Sequence, residues 1–311
     1  MKTKKTVLVA GGSGFIGSWL CQDLLKKRFN VICADNEITG KRNNLKEFEK
    51  DGSFSFIHQD ITKQVDIDSV DFIFHMASPA SPVHYQKYPV ETLMANSVGT
   101  LNLLNLAKEN NAKILYASSS EVYGDPKEHP QKETYWGNVN PNGPRACYDE
   151  GKRFSEALVS SFPGVNWTII RIFNTYGPRM NKNDGRVVPN FVNQAISSKP
   201  ITIYGDGRQT RSFCYVSDMV EGIERAMFSE KSAGEVINLG NPNEITMLEL
   251  ADIVIRLTDS KSKKVFRQIP TDDPTRRKPD IAKAGKILGW KPSVGIEEGM
   301  KSTIKYFRES A

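Results

Sequence analysis

The sequence predicts an α/β fold in which a doubly wound, mostly parallel sheet is followed by a smaller C-terminal α/β lobe. Short β-branched and apolar runs alternate with amphipathic helical stretches through about the first 180 residues, the pattern of β-α units wound into a parallel sheet. A glycine-rich turn follows the first of those runs, and an acidic residue closes the second. Beyond residue 180 the elements shorten and arginines gather near turns, so the division between lobes is expected there.

Thr6-Val7-Leu8-Val9-Ala10 reads as a strand, and Gly11-Gly12-Ser13-Gly14-Phe15-Ile16-Gly17 then gives way to a helical pattern through Trp19, Leu20, Leu24 and Leu25. Strand, glycine turn and helix in that order form a Rossmann-like unit, in which backbone amides at a helix N-terminus approach a pyrophosphate. Asp35 closes a second strand, Asn30-Val31-Ile32-Cys33-Ala34, 18 residues after Gly17. A carboxylate there accepts hydrogen bonds from an adenosine ribose and repels a 2′-phosphate, so NAD is expected rather than NADP. Lys41 and Arg42 argue the other way, but read as part of a solvated loop.

A third strand, 53–58, leads to Asp60 and Ile61, with Asp60 either an adenine neighbour or an ordinary turn residue. A fourth, 70–77, is stopped by Pro79 and Pro82, which shape a rigid loop before Tyr85. Ligands of open α/β sheets bind beyond such carboxyl ends. One helix is expected over 89–110, with Asn96 as a polar interruption that serves either packing or the site. A fifth strand, 112–117, delivers Ser118-Ser119-Ser120-Glu121, and another covers 165–174 before a turn at 175–179. The second lobe reads as a helix over 186–198, a strand over 201–204, a glycine turn, the segment 208–217, a helix over 218–228, the run 236–240, a helix over 247–257 and a helical tail. Arg179, Arg186, Arg208, Arg211, Arg276 and Arg277 suit a diphosphate.

The 42 basic and 36 acidic side chains are interspersed without a long basic run, which argues against nucleic acid and for a mixed-charge surface. The net charge of +6 mildly favours an anionic small molecule. No stretch has the length of a membrane span, and no signal-peptide cleavage pattern follows the basic start, Met1 to Lys5. Cys21, Cys33, Cys147 and Cys214 form no Cys-x-x-Cys pair, and His58, His75, His84 and His129 lack metal-ligand spacing. Reduced thiols, a cytoplasmic setting and no metal site are therefore expected.

Tyr148 and Lys152 stand one helical turn apart in Pro144-Arg145-Ala146-Cys147-Tyr148-Asp149-Glu150-Gly151-Lys152-Arg153, so they share a face. Holding a phenol ionised near neutrality costs on the order of 4 kcal/mol, much of which a neighbouring ammonium can offset. Gly11 to Gly17, Asp35, Ser119, Tyr148 and Lys152 together resemble the cofactor and catalytic positions of the extended short-chain dehydrogenases/reductases that modify nucleotide sugars. Within that superfamily the chain is similar to the UDP-glucuronate decarboxylases, which form UDP-xylose. The matching stretches are Ala77-Ser78-Pro79-Ala80-Ser81-Pro82, Ser120-Glu121-Val122-Tyr123-Gly124-Asp125-Pro126, Trp136-Gly137-Asn138-Val139-Asn140-Pro141 and Pro144 to Arg153. Arg171-Ile172-Phe173-Asn174-Thr175-Tyr176-Gly177-Pro178-Arg179-Met180, Asp184-Gly185-Arg186-Val187-Val188 and Arg277-Lys278-Pro279-Asp280 extend the likeness over nearly the whole chain.

The resemblance implies oxidation at C4, loss of carbon dioxide and re-reduction at one site, with NAD tightly held and regenerated in each turnover. It assigns catalysis to Tyr148, Lys152, Ser119, Glu121 and Arg277, with Tyr148 as base at the 4-hydroxyl, Glu121 acting around decarboxylation and reprotonation at C5, and Arg277 on the substrate carboxylate. Residues 1–180 become an NAD-binding domain and 181–311 predominantly a nucleotide-sugar lobe. Cofactor contacts follow at Gly11, Gly14, Phe15, Ile16, Gly17, Asp35, Asn36, Thr39, Asp60 and Ile61. Ala77, Ser78, Asn96, Tyr148, Lys152 and Thr175 complete that set.

For the UDP-sugar the implied contacts are Tyr85, Ser120, Glu121, Asn174, Arg186, Tyr204, Arg211 and Arg277. Asn174 is otherwise a turn-stabilising amide, Tyr85 a packed aromatic and Arg277 a surface salt bridge. A homodimer joined near 89–110 and 148–161 is also implied, without the N-terminal membrane anchor of some relatives. Ser119 replaces a frequent threonine and keeps the hydroxyl, while Met94 replaces a frequent lysine and bears on substrate preference. The rival readings are a 4,6-dehydratase, a 4-epimerase and a non-catalytic dinucleotide-binding protein. Ser120 stands where dehydratases carry their aspartate, and a serine hydroxyl is no substitute for that acid.

Overall fold

The computed structural model describes residues 4–269 and 276–310; Met1 to Thr3 of the basic start lie outside the described residues. In chain order the first elements are β1 (Thr6–Ala10), α1 (Phe15–Lys26), β2 (Asn30–Asp35), β3 (Phe54–His58), β4 (Phe72–His75), α2 (Pro82–Lys87), α3 (Pro89–Asn96), α4 (Val98–Glu109), β5 (Lys113–Ser119), α5 (Ala146–Ser161) and β6 (Trp167–Ile172). There follow β7 (Thr175–Tyr176), α6 (Val187–Ile196), β8 (Ile201–Tyr204), β9 (Thr210–Ser212), β10 (Cys214–Tyr215), α7 (Val216–Phe228), β11 (Glu235–Leu239), β12 (Glu244–Thr246), α8 (Met247–Thr258), β13 (Lys264–Arg267), β14 (Arg276–Arg277), α9 (Ala282–Leu288) and α10 (Ile296–Glu309).

Seven parallel strands form the central sheet in the order β11-β6-β5-β4-β1-β2-β3, the doubly wound α/β fold expected. On β1, Val7 and Val9 share a core with Leu20 and Leu24 of α1 and Met219 and Ile223 of α7. Leu8 and Ala10 share the opposite core with Leu103 and Leu104 of α4 and Val159 of α5. Alternate residues of a strand face opposite sides, so β-α crossovers place helices on both. The strand order reverses between β1 and β4, and the crevice at their carboxyl ends is where ligands of such sheets bind.

The chain crosses back into this layer after residue 180. β11 pairs along the outer edge of β6 and α7 packs on the sheet, so the lobes interleave in sequence. The edge of β6 carries the buried Ile169 and Ile170, which an unpaired strand would leave open. The second lobe gathers α6, α8 and α10 around the β8–β13 pair, with Phe191, Ile203, Leu250, Val254, Met300 and Phe307 in its core. There β9 lies between antiparallel β12 and parallel β14.

The single helix expected over 89–110 is two helices broken at Ser97, whose φ of −115° and ψ of −80° leave the helical region. The Asn96 carbonyl at the break accepts the hydroxyls of Thr100 and Ser155, which compete with backbone donors. The strand expected over 165–174 ends at Ile172, and the helix expected over 186–198 is shorter at both ends.

Trp290 closes the sheet-side core: it is buried, donates from Nε1 to the Asp218 carbonyl at 3.0 Å and packs over Gly222. Trp290→Ala is expected to cost about 3–5 kcal/mol in urea unfolding, the range for a buried aromatic replaced by a cavity. A loss below about 1 kcal/mol would contradict this packing.

Candidate active site at the carboxyl edge of the sheet

The glycine turn touches the strand across the switch point. Gly11 has φ +83°, and a Cβ there would lie 2.7 Å from the Ala77 backbone. A Cβ on Gly17 would meet the Gly11 carbonyl at 2.2 Å, so α1 starts directly on the turn. Gly14 caps α1 without a side-chain hydrogen bond, no acid occupies the first turn beyond it, and Ser13 Oγ is buried without a partner. These features fit the pyrophosphate of a dinucleotide, since the amides and dipole of the helix end are left for an anion.

Asp35 accepts Ser13 N at 3.0 Å and Glu37 N at 2.8 Å, so it braces the glycine turn from the end of β2. Asn36, through Oδ1, accepts Ile38 N at 3.2 Å, and Thr39 follows in the same loop. Arg42 lies over Phe56 with its guanidinium carbon 3.8 Å from the ring centroid and pairs with Glu49, while Lys41 reaches Asn181. Asp60 accepts Thr62 N and Oγ1, a turn role, and Ile61 packs under Gly99. Asn96 serves both packing and the site edge: fully buried, it donates to Ser78 Oγ at 2.9 Å and accepts the Tyr116 hydroxyl at 2.9 Å. Thr175 Oγ1 turns back to the Phe173 carbonyl. Phe15 and Ile16 open α1 and are half-buried.

Ser119 ends β5 and Tyr148 and Lys152 lie on α5, so the three meet where the sheet opens. Ser119 lies beside the Tyr148 phenol, and its Oγ accepts Glu121 N at 3.3 Å. Lys152 Nζ donates to the Ala117 carbonyl at 2.8 Å and lies 5.6 Å from the Tyr148 ring centroid. Burial pushes Tyr148 well above its ordinary value, with only partial relief from Ser119. Burial also pushes the Lys152 ammonium down to about 7, against the pull of Glu156. Both shifts have one cause, a dry pocket that disfavours either charged form.

Beside them Glu121, in the 3-10 turn Ser120–Tyr123, is gripped by two guanidiniums. Arg277 takes both of its oxygens, with Nη2 to Oε2 at 2.9 Å, and Arg145 from the start of α5 takes Oε2 as well. Burial works against ionisation, yet Arg277 and then Arg145 hold the carboxyl at about 2. Arg277 is only 3% exposed, so the alternative of a surface salt bridge is excluded, and its Nε is buried without an acceptor. Asp149, next to Tyr148, lies with Oδ2 3.9 Å from Arg145 Nε, and its Oδ1 is buried without a partner. Burial, then Glu121 nearby, push the Asp149 carboxyl up to about 7.

Tyr85 is the packed aromatic of its two readings, stacked on Tyr148 with centroids 5.1 Å apart and a buried, unpartnered hydroxyl. That same stacking puts it against the catalytic candidate. Ser120 is buried, Asn174 accepts Cys214 N through its carbonyl, and Arg186 pairs with Asp184 and lies 6.0 Å from the Phe15 ring centroid. Arg211 is set beside Arg277 by the β9–β14 register and donates to the Thr210 carbonyl, while Tyr204, ending β8, is exposed. Arg179 leaves the diphosphate set: it lies over Trp19 and pairs with Glu47. Arg145 and Asp149 carried no assigned role in the sequence reading; the only signal was their place in the Pro144 to Arg153 segment.

A glycine cradle at a switch point, with Ser119, Tyr148 and Lys152 on the neighbouring carboxyl ends, defines a nicotinamide-dependent enzyme class. The chain belongs to the NAD dependent epimerase/dehydratase family, whose pattern matches residues 7–240. It is 51% identical over 306 residues to UDP-glucuronic acid decarboxylase 4 of Arabidopsis thaliana, covering 97% of this chain and 68% of that one. It is 48% identical to UDP-glucuronic acid decarboxylase 1 of Xenopus tropicalis, over 99% of this chain and 73% of that one. Among solved structures, UDP-glucuronic acid 4-epimerase from Bacillus cereus, in complex with UDP-glucuronic acid and NAD, matches with a TM-score of 0.87 at 28% identity, over 98% of this chain and all of that one.

The depressed Glu121 value fixes a sign. Its stabilising contribution is complete above about 4.5 and is lost as pH falls toward about 2. Urea unfolding stepped through that window should give a shallower acid loss for Glu121→Gln than for the wild type. Equal slopes would mean that the two arginines do not hold this carboxylate.

Proposed function

We propose that this chain decarboxylates UDP-glucuronate to UDP-xylose, with NAD tightly held and regenerated in each turnover, and that it works as a cytoplasmic homodimer. The observation that carries the reading is Glu121 bound by Arg277 and Arg145 beside Ser119 and Tyr148. It is supported by about half identity to plant and vertebrate UDP-glucuronic acid decarboxylases across the chain. Residues 1–180 would hold the cofactor, and 181–311 mainly the nucleotide sugar, with α7 and β11 returning to the sheet.

Gly11 to Gly17, Asp35 and the Ala77–Ser78 edge would hold NAD, which when bound would supply the hydride acceptor and donor. Tyr148 removes the proton of the 4-hydroxyl and later returns it, while Ser119 orients that oxygen. Lys152 is anchored on the Ala117 carbonyl with its ammonium 5.6 Å from the Tyr148 ring centroid, near enough to act on the phenol's charge. Arg277 offers its unpartnered Nε to the sugar carboxylate, and Glu121 sets the guanidinium's plane by occupying its far edge. The 4-ketone lies β to that carboxylate, so the carbon–carbon bond breaks onto an enolate with no leaving hydroxyl to protonate. A dehydratase needs such a proton donor, and Ser120 supplies none. Asn174, Arg186, Arg211 and Tyr204 are proposed around the UDP.

The dimer is supported by the apolar side chains Leu93, Met94, Leu101 and Phe154, exposed on the adjoining helices α3, α4 and α5. Four free thiols suit a reducing compartment.

Purified protein given UDP-glucuronate without added NAD should yield a UDP-pentose by mass spectrometry. Glu121→Gln should lower kcat at least about 100-fold. Inactivity on glucuronate, with water lost from a UDP- or dTDP-glucose, would assign the chain to dehydratases instead. Sedimentation should report a dimer, and Phe154→Glu combined with Leu101→Glu should shift it to monomer; an unshifted dimer would place the interface elsewhere.

A further inference from the structure

The overall reaction consumes a proton: a carboxylate leaves as carbon dioxide and a hydrogen takes its place at C5. The residues named so far do not provide it. Tyr148's proton comes from the 4-hydroxyl and is owed back to that oxygen when the ketone is reduced. Glu121 holds no proton near neutrality, because Arg277 and Arg145 keep it ionised. Lys152 donates a hydrogen bond to the Ala117 carbonyl.

Among the described residues Asp149 is the one other carboxyl within this cluster, and the reaction as described leaves it without a task. It is 6% exposed, its Oδ1 has no partner, and it belongs to the same turn of α5 as Tyr148. Among the described residues the charged and titratable groups that face it are Arg145, Cys147, Tyr148 and Glu150 along α5, Glu121 in the 3-10 turn, Arg277 on β14 and Tyr85 on α2. Resting on the decarboxylase reading, we propose that Asp149 is the proton reserve of the site, loaded when the sugar carboxylate arrives and discharged when carbon dioxide leaves.

The coupling is electrostatic. A second anion brought to Arg277 raises the proton affinity of a nearby buried carboxyl, by on the order of one pH unit at 8 Å and an effective dielectric near 20. Asp149, already poised at about 7, takes up a proton as substrate binds. The C5–C6 bond then breaks, its electron pair passes into the enolate, and neutral carbon dioxide departs. With that anion gone the affinity falls again. The Asp149 O–H bond breaks, the enolate pair forms C5–H with the proton passed through the groups between, and the carboxylate stays ionised until the next substrate's carboxylate draws one proton from solvent. No oxidant or reductant beyond the hydride exchange at C4 is needed.

Proton uptake can be read directly by calorimetry in two buffers of different ionisation enthalpy, in a Tyr148→Phe background that binds but does not oxidise the sugar. UDP-glucuronate near pH 7.5 should draw roughly half a proton or more per site, and UDP-xylose, which lacks the carboxylate, should draw far less. Adding Asp149→Asn should abolish the difference. In otherwise wild-type protein Asp149→Asn should lower kcat at least about tenfold with little change in KM, and should remove the fall in kcat as pH rises through the Asp149 titration. Asp149→Glu should restore part of both.

Equal uptake with the two nucleotide sugars in Tyr148→Phe overturns the proposal without any change at Asp149, so a misfolded variant does not protect it. Undiminished uptake after Asp149→Asn overturns it too, as does an unchanged kcat and pH profile. A wild type inert on UDP-glucuronate strikes the underlying function. An active wild type with any of the preceding results strikes Asp149 alone.

Discussion

The contact on which the site depends is the buried ion cluster between Glu121, in the 3-10 turn that follows β5, and Arg277 on two-residue β14. It joins the parallel sheet to the second lobe at the point where a ligand of such a sheet would sit. Burying a guanidinium and a carboxylate is expensive unless their hydrogen-bonding capacity is filled and their geometry fixed. Backbone bonds do the fixing: Ser212 Oγ donates to the Arg277 carbonyl, and the fully buried Gln131 bonds both sides of the next residues, to Lys278 and Asp280. Asn238, at the end of β11, donates in turn to the Gln131 carbonyl. A strand returning from the second half of the chain thus holds the platform that aims Arg277.

This explains why two carboxyls a few ångströms from the same arginine behave oppositely. Glu121 receives both guanidiniums at hydrogen-bond distance and stays ionised, while Asp149 sees Arg145 only at 3.9 Å and feels Glu121 as a like charge. Environments that push paired acids apart are the ordinary means by which one site keeps an anion and an acid at the same pH. The same dryness that raises Asp149 raises Tyr148 and lowers Lys152. Positive charge near the phenol, including that of an oxidised nicotinamide when bound, is what would lower the tyrosine again.

Local pattern made much of this legible. The strand, glycine turn and helix at 6–26 follow from short-range sterics and periodicity, and so does the Tyr148–Lys152 spacing. The break at Ser97 was not legible, because it depends on hydroxyls from Thr100 and Ser155, the latter 59 residues away from Asn96. The membership of β11 in the first sheet was hidden for a similar reason: an apolar run declares a strand but not its partner. Arg277 was singled out by resemblance, yet only the β9–β14 register brings it to Glu121, across 156 residues. Arg145 and Asp149 lay inside a segment already marked, but their shifted ionisation comes from the depth of the pocket, which no spacing encodes.

The stacking of Tyr85 on Tyr148 is a last constraint on the chemistry. Its hydroxyl is buried without a partner, and burial pushes it well above its ordinary value, so it remains a neutral donor. A neutral phenol packed flat against the Tyr148 ring excludes water from one of its faces without adding charge. Proline at the start of α2 fixes the entry of the helix that carries it, and Ser81 bonds His84 at 2.8 Å across the same turn. The loop after β4 therefore does two things at one carboxyl end. Its Ala77 backbone abuts the glycine turn, and its helix walls off the phenol, so the edge of the glycine cradle and the dryness of Tyr148 are set by the same nine residues between β4 and Tyr85.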